Sequence, residues 1–141
     1  MRVYTGGTFD LFHAGHVKFL KQCSRLTGVD GLVVVSLNTD EFIKEYKGKP
    51  PIMSYEERKT ILESCSYVDM VVPNLDGANS KTSINKVNPD LIVIGTDWAK
   101  KDYYKQMGFT QKWLDDRDIG LVYVPYTEGI STTELKKRIN D

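Results

Sequence analysis

Apolar and polar positions follow two different rhythms along this chain. Five short runs, residues 2–5, 31–37, 68–73, 91–95 and 121–125, are apolar almost throughout and rich in β-branched side chains. Such uninterrupted runs mark strands buried on both faces, as in a parallel sheet covered by helices. In residues 15–26, 54–65, 80–87 and 131–139 the apolar positions instead recur three and four apart, the spacing of one helix face. Residues 40–46 add a shorter helix. Strand and helix in alternation predict an α/β fold: an open parallel sheet of about five strands with helices on both faces.

Two helix starts carry a further signal. Ser54 is followed three residues later by Glu57, and Ser131 by Glu134, so each serine can accept a free backbone N–H while the glutamate reaches back. Residues 44–53 and 74–82, with their Gly, Pro, Asn and charge, read as surface loops.

At 141 residues and 40% hydrophobic composition, residues 1–141 form one domain able to bury its own core. Nineteen basic residues balance nineteen acidic ones. No net field therefore draws the protein to nucleic acid or an anionic membrane, and any anion site must be local. The first apolar run is too short for a signal peptide, and no stretch approaches the roughly 20 apolar residues of a membrane helix, so a cytoplasmic location is expected. Cys23 and Cys65 lack metal-type companions nearby and are expected to be reduced, half-buried thiols.

The most informative stretch is Gly6-Gly7-Thr8-Phe9-Asp10-Leu11-Phe12-His13-Ala14-Gly15-His16, which joins the first strand to the first helix. Open α/β sheets bind ligands at such junctions. The helix end offers unpaired N–H groups and a partial positive charge, and glycines let a phosphate approach the backbone. His13 and His16, the only histidines of the chain, are three apart on one helix face, where two imidazoles can donate to one phosphoryl group. Neither G-x-G-x-x-G nor G-x-x-x-x-G-K-[ST] is present, which disfavours a dehydrogenase or a P-loop kinase.

Residues Thr8 to His16 read T-F-D-x-x-H-x-G-H and resemble the signature of the HxGH nucleotidyltransferase superfamily. Ser54-Tyr55-Glu56-Glu57-Arg58-Lys59, the G-x-D-W of Gly95-Thr96-Asp97-Trp98 and the T-E-G-I-S-T-T of residues 127–133 make the chain similar to the cytidylyltransferase branch, in particular the glycerol-3-phosphate enzymes. The resemblance implies a Rossmann-like fold and transfer of CMP from CTP to a phosphorylated alcohol such as glycerol 3-phosphate, with release of pyrophosphate. It implies a homodimer and Mg²⁺ carried by the nucleoside triphosphate, with no protein metal ligand. Chemistry of this kind needs positioning and charge stabilisation more than a nucleophile.

By the same resemblance His13, His16, Lys47 and Lys49 are the catalytic groups. Gly7, Thr8, Phe9, Asp10, Gly15, Asp97, Trp98, Thr127, Gly129, Ile130, Ser131, Thr132 and Thr133 line the nucleotide, with Asp10 alternatively orienting the first loop or a Mg²⁺ ion. Arg58 and Tyr126 face the acceptor. The residues alone leave other readings open: the lysines of 44–49 as a solvated charge run, Ser131 as a simple helix cap. Tyr126 and Ser66 stand where the branch has arginines, and neither replaces a guanidinium's bidentate contact with phosphate or base. Two alternatives follow: an adenylyltransferase using ATP with a sugar-phosphate or cofactor-precursor acceptor, or a catalytically weak nucleotide-binding module.

Overall fold

The computed structural model describes residues 1–95, 107–125 and 130–140. Five strands, β1 (Arg2–Gly7), β2 (Leu32–Leu37), β3 (Met70–Pro73), β4 (Leu91–Gly95) and β5 (Gly120–Val124), form one sheet in the order β3-β2-β1-β4-β5, with every pairing parallel. The described helices are α1 (Ala14–Thr27), α2 (Asp40–Lys47), α3 (Tyr55–Ser64), α4 (Lys81–Val87), α5 (Gln111–Asp115) and α6 (Thr132–Asn140).

Strand side chains alternate between two cores. Val3, Val33, Val35, Leu37 and Val93 pack against Leu20 and Cys23 of α1 and Leu62 of α3 on one face. Tyr4, Ile92 and Ile94 pack against Ile84 of α4 and Leu114 of α5 on the other. The strands are apolar through because both faces are covered, as the hydrophobic pattern predicts.

The chain builds β1, β2 and β3 outward in one direction, then returns to place β4 and β5 on the other side of β1. Pairing between β1 and β4 is confined to Val3 with Leu91 and Tyr4 with Ile92; one residue on, the Thr5 hydroxyl donates to the Val93 carbonyl at 2.9 Å. The carboxyl ends of these strands thus part at the reversal of strand order, the usual ligand crevice of such sheets. The glycine-rich turn begins there.

Local signals behave unevenly. Ser54 and Glu57 form the reciprocal capping box. Ser131 accepts the Glu134 N–H at 3.0 Å, while the Glu134 carboxylate lies 3.8 Å from Arg138. The short helix read over 40–46 is α2, which runs one residue further to Lys47 and is closed by Gly48 in the left-handed conformation, so the loop read from residue 44 begins only there. Five-residue α5 escapes a periodicity reading because it spans little more than one turn; its start is marked by Thr110, which accepts the Trp113 N–H. Cys23 is fully rather than half buried, and both thiols are free. Among the described residues no helix is long and apolar enough to cross a membrane.

Candidate active site

The turn between β1 and α1 is tightly determined. Phe9 and Leu11 both adopt positive φ, 54° and 48°, a region costly for side chains of this size. Asp10 between them holds the shape: its carboxylate accepts the N–H groups of Leu11, Ile52 and Met53 at 3.1, 2.8 and 2.9 Å. Both oxygens are thereby engaged and the residue is 7% exposed. Asp10 thereby ties the turn to the backbone at residues 52 and 53.

Helix α1 starts on a histidine where Ser, Thr, Asp or Asn is usual. His13 Nδ1 accepts the Gly15 N–H at 3.0 Å, and His16 Nδ1 accepts the His13 N–H at 3.1 Å. Nδ1 must offer a lone pair in each case, so a neutral ring carries its proton on Nε2. The helix cap thus prepares two N–H donors of defined tautomer. The rings stack with centroids 3.8 Å apart, and Phe9 and Phe12 flank His16 at 5.2 and 5.3 Å. Burial lowers both proton affinities: His16 falls to about 3, with neighbouring His13 adding to the shift and Asp10 opposing it. Both imidazoles are neutral at physiological pH.

His13 Nε2 is buried and has no hydrogen-bond partner among the described residues. Leaving a buried donor unmatched costs about 1–3 kcal/mol, a burden that a bound anion would relieve. Gly15 admits this arrangement: a Cβ there would stand 2.8 Å from His13 Cε1 and 3.2 Å from Ile130 Cγ2.

Helix α6 meets the same turn. Thr132 donates to the Asp10 carbonyl at 2.8 Å, and Ile130 lies against Gly15, so the N-termini of α1 and α6 converge. Two converging helix ends, each with the positive end of its dipole, make a place for a polyanion. The Ser131 hydroxyl accepts the Glu134 N–H at the start of α6. Thr133 is exposed on the first turn of α6. Thr8, the first hydroxyl of the turn, accepts from Asn38 Nδ2 at 3.1 Å and lies 3.3 Å from the Tyr46 hydroxyl. This contact brings the end of α2, with exposed Lys47 and then Lys49, beside the glycine-rich turn. Gly7 packs against the Phe9 ring, which a Cβ would meet at 2.9 Å.

Arg58 requires a correction. Its side chain is 0% exposed and its guanidinium is consumed internally: Nη1 donates to the carbonyls of Thr8 and Asn38, Nε to that of Met53, and Nη2 pairs with Asp40 at 2.6 Å. A group so enclosed cannot reach an acceptor substrate; it staples three loops beneath the turn. Asp97, Trp98, Tyr126, Thr127 and Gly129 lie outside the described residues. Asn38 and Asn74, just after β2 and β3, and Asp40, the first residue of α2, shape the turn from behind and escape a motif reading because they lie outside the glycine-rich stretch.

The Cytidylyltransferase-like family model matches residues 4–138. Glycerol-3-phosphate cytidylyltransferase of Bacillus subtilis (strain 168) is 41% identical over 139 residues, spanning 98% of this chain and 96% of that protein. FAD synthase of Pyrococcus abyssi is 35% identical over 146 residues, spanning 100% of this chain and 93% of its own. Among solved structures, the lipopolysaccharide core biosynthesis protein of Thermoplasma volcanium superposes with a TM-score of 0.70 over 91% of this chain and 98% of its own; at 23% identity it attests the fold alone.

Proposed function

The chain belongs to the cytidylyltransferase-like family of nucleotidyltransferases, and from that premise we propose that it transfers CMP from CTP to a phosphorylated alcohol such as glycerol 3-phosphate, releasing pyrophosphate. An oxygen of the acceptor phosphate attacks the α-phosphorus. As the new P–O bond forms, the bond from the α-phosphorus to the bridging oxygen breaks, and that oxygen leaves with the pyrophosphate.

The observation that carries this reading is the unmatched, buried Nε2 of His13 beside a second imidazole of the same tautomer. Aimed at the nonbridging oxygens, two preorganised donors stabilise charge that grows in the transition state, without reorganising at the moment of reaction. Their neutrality suits a donor role, since nothing need deprotonate. The N-terminus of α6, with Ser131, Thr132 and Thr133, receives the β- and γ-phosphates. Lys47 and Lys49 close over them from the end of α2.

Magnesium travels on the triphosphate. The Asp10 oxygens already accept three amides, which supports leaving the ion to the phosphates.

Adenylyl transfer from ATP is the second reading, favoured by the 35% identity to an FAD synthase and by Tyr126 and Ser66 in place of arginines. Pyrophosphate release decides between them. Each of CTP, ATP, GTP and UTP is paired with glycerol 3-phosphate, phosphocholine, a sugar phosphate and a flavin phosphate. Turnover is expected to be fastest with CTP and a phosphorylated alcohol; preference for ATP would transfer the assignment to the second reading, and silence with every pair would leave a binding module. A homodimer in the cytoplasm completes the proposal, checked by sedimentation and by cell fractionation.

A further inference from the structure

A chain of side-chain amides runs from the loop after β3 to the first hydroxyl of the glycine-rich turn. Asn74, buried immediately after β3, donates from Nδ2 to the Gly77 carbonyl at 2.8 Å and to Asn38 Oδ1 at 3.0 Å. Asn38, immediately after β2, donates from its own Nδ2 to Thr8 Oγ1 at 3.1 Å. The backbone sets the two amides side by side: the Asn38 N–H donates to the Gly7 carbonyl and the Asn74 N–H to the Leu37 carbonyl, both at 2.9 Å.

A carboxamide has a donor end and an acceptor end, so such a chain has a direction. Here the direction follows from groups that cannot turn around. The Gly77 carbonyl can only accept, so Asn74 must present its nitrogen there. The second hydrogen of that nitrogen goes to Asn38, which must answer with oxygen, and this leaves the Asn38 nitrogen facing Thr8. At the far end Ser83 agrees. Its hydroxyl oxygen accepts the Leu75 N–H at 3.3 Å and lies 3.5 Å from Asn74 Oδ1, toward which it can donate, beside its contact with Tyr4. The Gly77 position is itself constrained, with φ of +55° and a Cβ that would stand 2.8 Å from the Phe42 ring.

The consequence lies at Thr8. With a lone pair of Oγ1 occupied by an N–H, the hydroxyl keeps its proton to give away. Its resting neighbour, the Tyr46 hydroxyl at 3.3 Å, serves equally as donor or acceptor and does not compete for direction. We infer that Asn38 and Asn74 are positioning residues which hold the Thr8 hydroxyl as a hydrogen-bond donor toward a phosphoryl oxygen of the bound substrates. They act through Thr8 and touch no substrate themselves. The inference rests on the nucleotidyl-transfer reading and adds to it a device outside the sequence motif.

The test reverses the chain. In Asn74→Asp the side chain has no hydrogen to give, so Asn38 must turn its nitrogen toward residue 74 and its oxygen toward Thr8, drawing the threonine proton inward. The kcat/KM for pyrophosphate release, with whichever nucleotide and acceptor the wild type uses best, is measured for wild type, Thr8→Val, Asn74→Asp and the double variant. Loss of an oriented donor to a charged oxygen is expected to lower kcat/KM by roughly tenfold to a hundredfold in the wild-type background. In the Thr8→Val background, where no proton remains to misdirect, Asn74→Asp is expected to cost less than about threefold. Equal losses in both backgrounds would show that Asn74 acts on folding or elsewhere, and would overturn the inference. Should Asn74→Asp not fold, Asn38→Asp sets an acceptor directly against Thr8 and is read by the same cycle. A wild type inactive with every substrate pair would defeat the parent reading and this one with it; an active wild type with additive losses would defeat this one alone.

Discussion

His13 and His16 stack their imidazoles 3.8 Å apart while each holds a backbone N–H on Nδ1. A protonated ring has no lone pair there, so protonation would break the helix cap as well as charge a buried face. The cap and the donor tautomer are one feature.

A pH dependence follows with a definite sign. Burial lowers the proton affinity of His16 in the folded protein to about 3, whereas in the unfolded chain it titrates near 6.5. Below 6.5 the unfolded state takes up a proton that the folded state refuses. The stability attached to neutral His16 is therefore complete above that pH and declines as pH falls toward 3, by up to about 1.4 kcal/mol per pH unit. Chemical denaturation of wild type and His16→Gln between pH 7 and 4 checks this: the wild type should lose its advantage progressively. A His16 Cε1 proton resonance titrating near 6.5 in the folded protein would contradict it.

His16→Ala should affect two properties together. Removing a transition-state donor is expected to cost on the order of a hundredfold or more in turnover. Because His16 also caps the His13 N–H and packs between Phe9 and Phe12, the variant should lose about 1 kcal/mol of stability as well. Turnover and thermal unfolding are measured side by side; unchanged turnover would show that the imidazole is merely structural.

Arg58→Met is expected to destabilise the fold by about 3–5 kcal/mol, since it deprives Asp40 of its partner and three carbonyls of their donor. The methionine approximates the volume, so the loss reports polar contacts rather than a cavity. A denaturation midpoint equal to wild type would refute the clamp. If Arg58 instead bound the acceptor, the acceptor KM would rise with stability intact.

Lys47→Ala and Lys49→Ala should behave oppositely. Both side chains are exposed, so thermal stability should shift by no more than about 0.5 kcal/mol. Loss of a charge closing over the triphosphate should raise the nucleotide KM or lower kcat, and more so at low ionic strength, where charges are less screened. Kinetics unchanged at low salt in the double variant would return these lysines to an ordinary solvated surface.

The architecture was already legible along the chain, and so was the turn on which the proposed chemistry rests. Runs such as 91–95, apolar on both faces, have no stable home except a covered parallel strand, and the glycine-rich turn with both histidines can follow only the first of them. These are local facts, carried by neighbours in the chain. Tertiary packing alone supplied the partners of side chains whose neighbours are distant in sequence. Asp10 became a loop staple through amides some forty residues away, Arg58 was withdrawn from the acceptor by carbonyls of three loops, and Asn38 and Asn74 met because parallel strands end side by side. A carboxylate, guanidinium or amide has the same composition whether it faces substrate or backbone, and only packing supplies the partner that settles which.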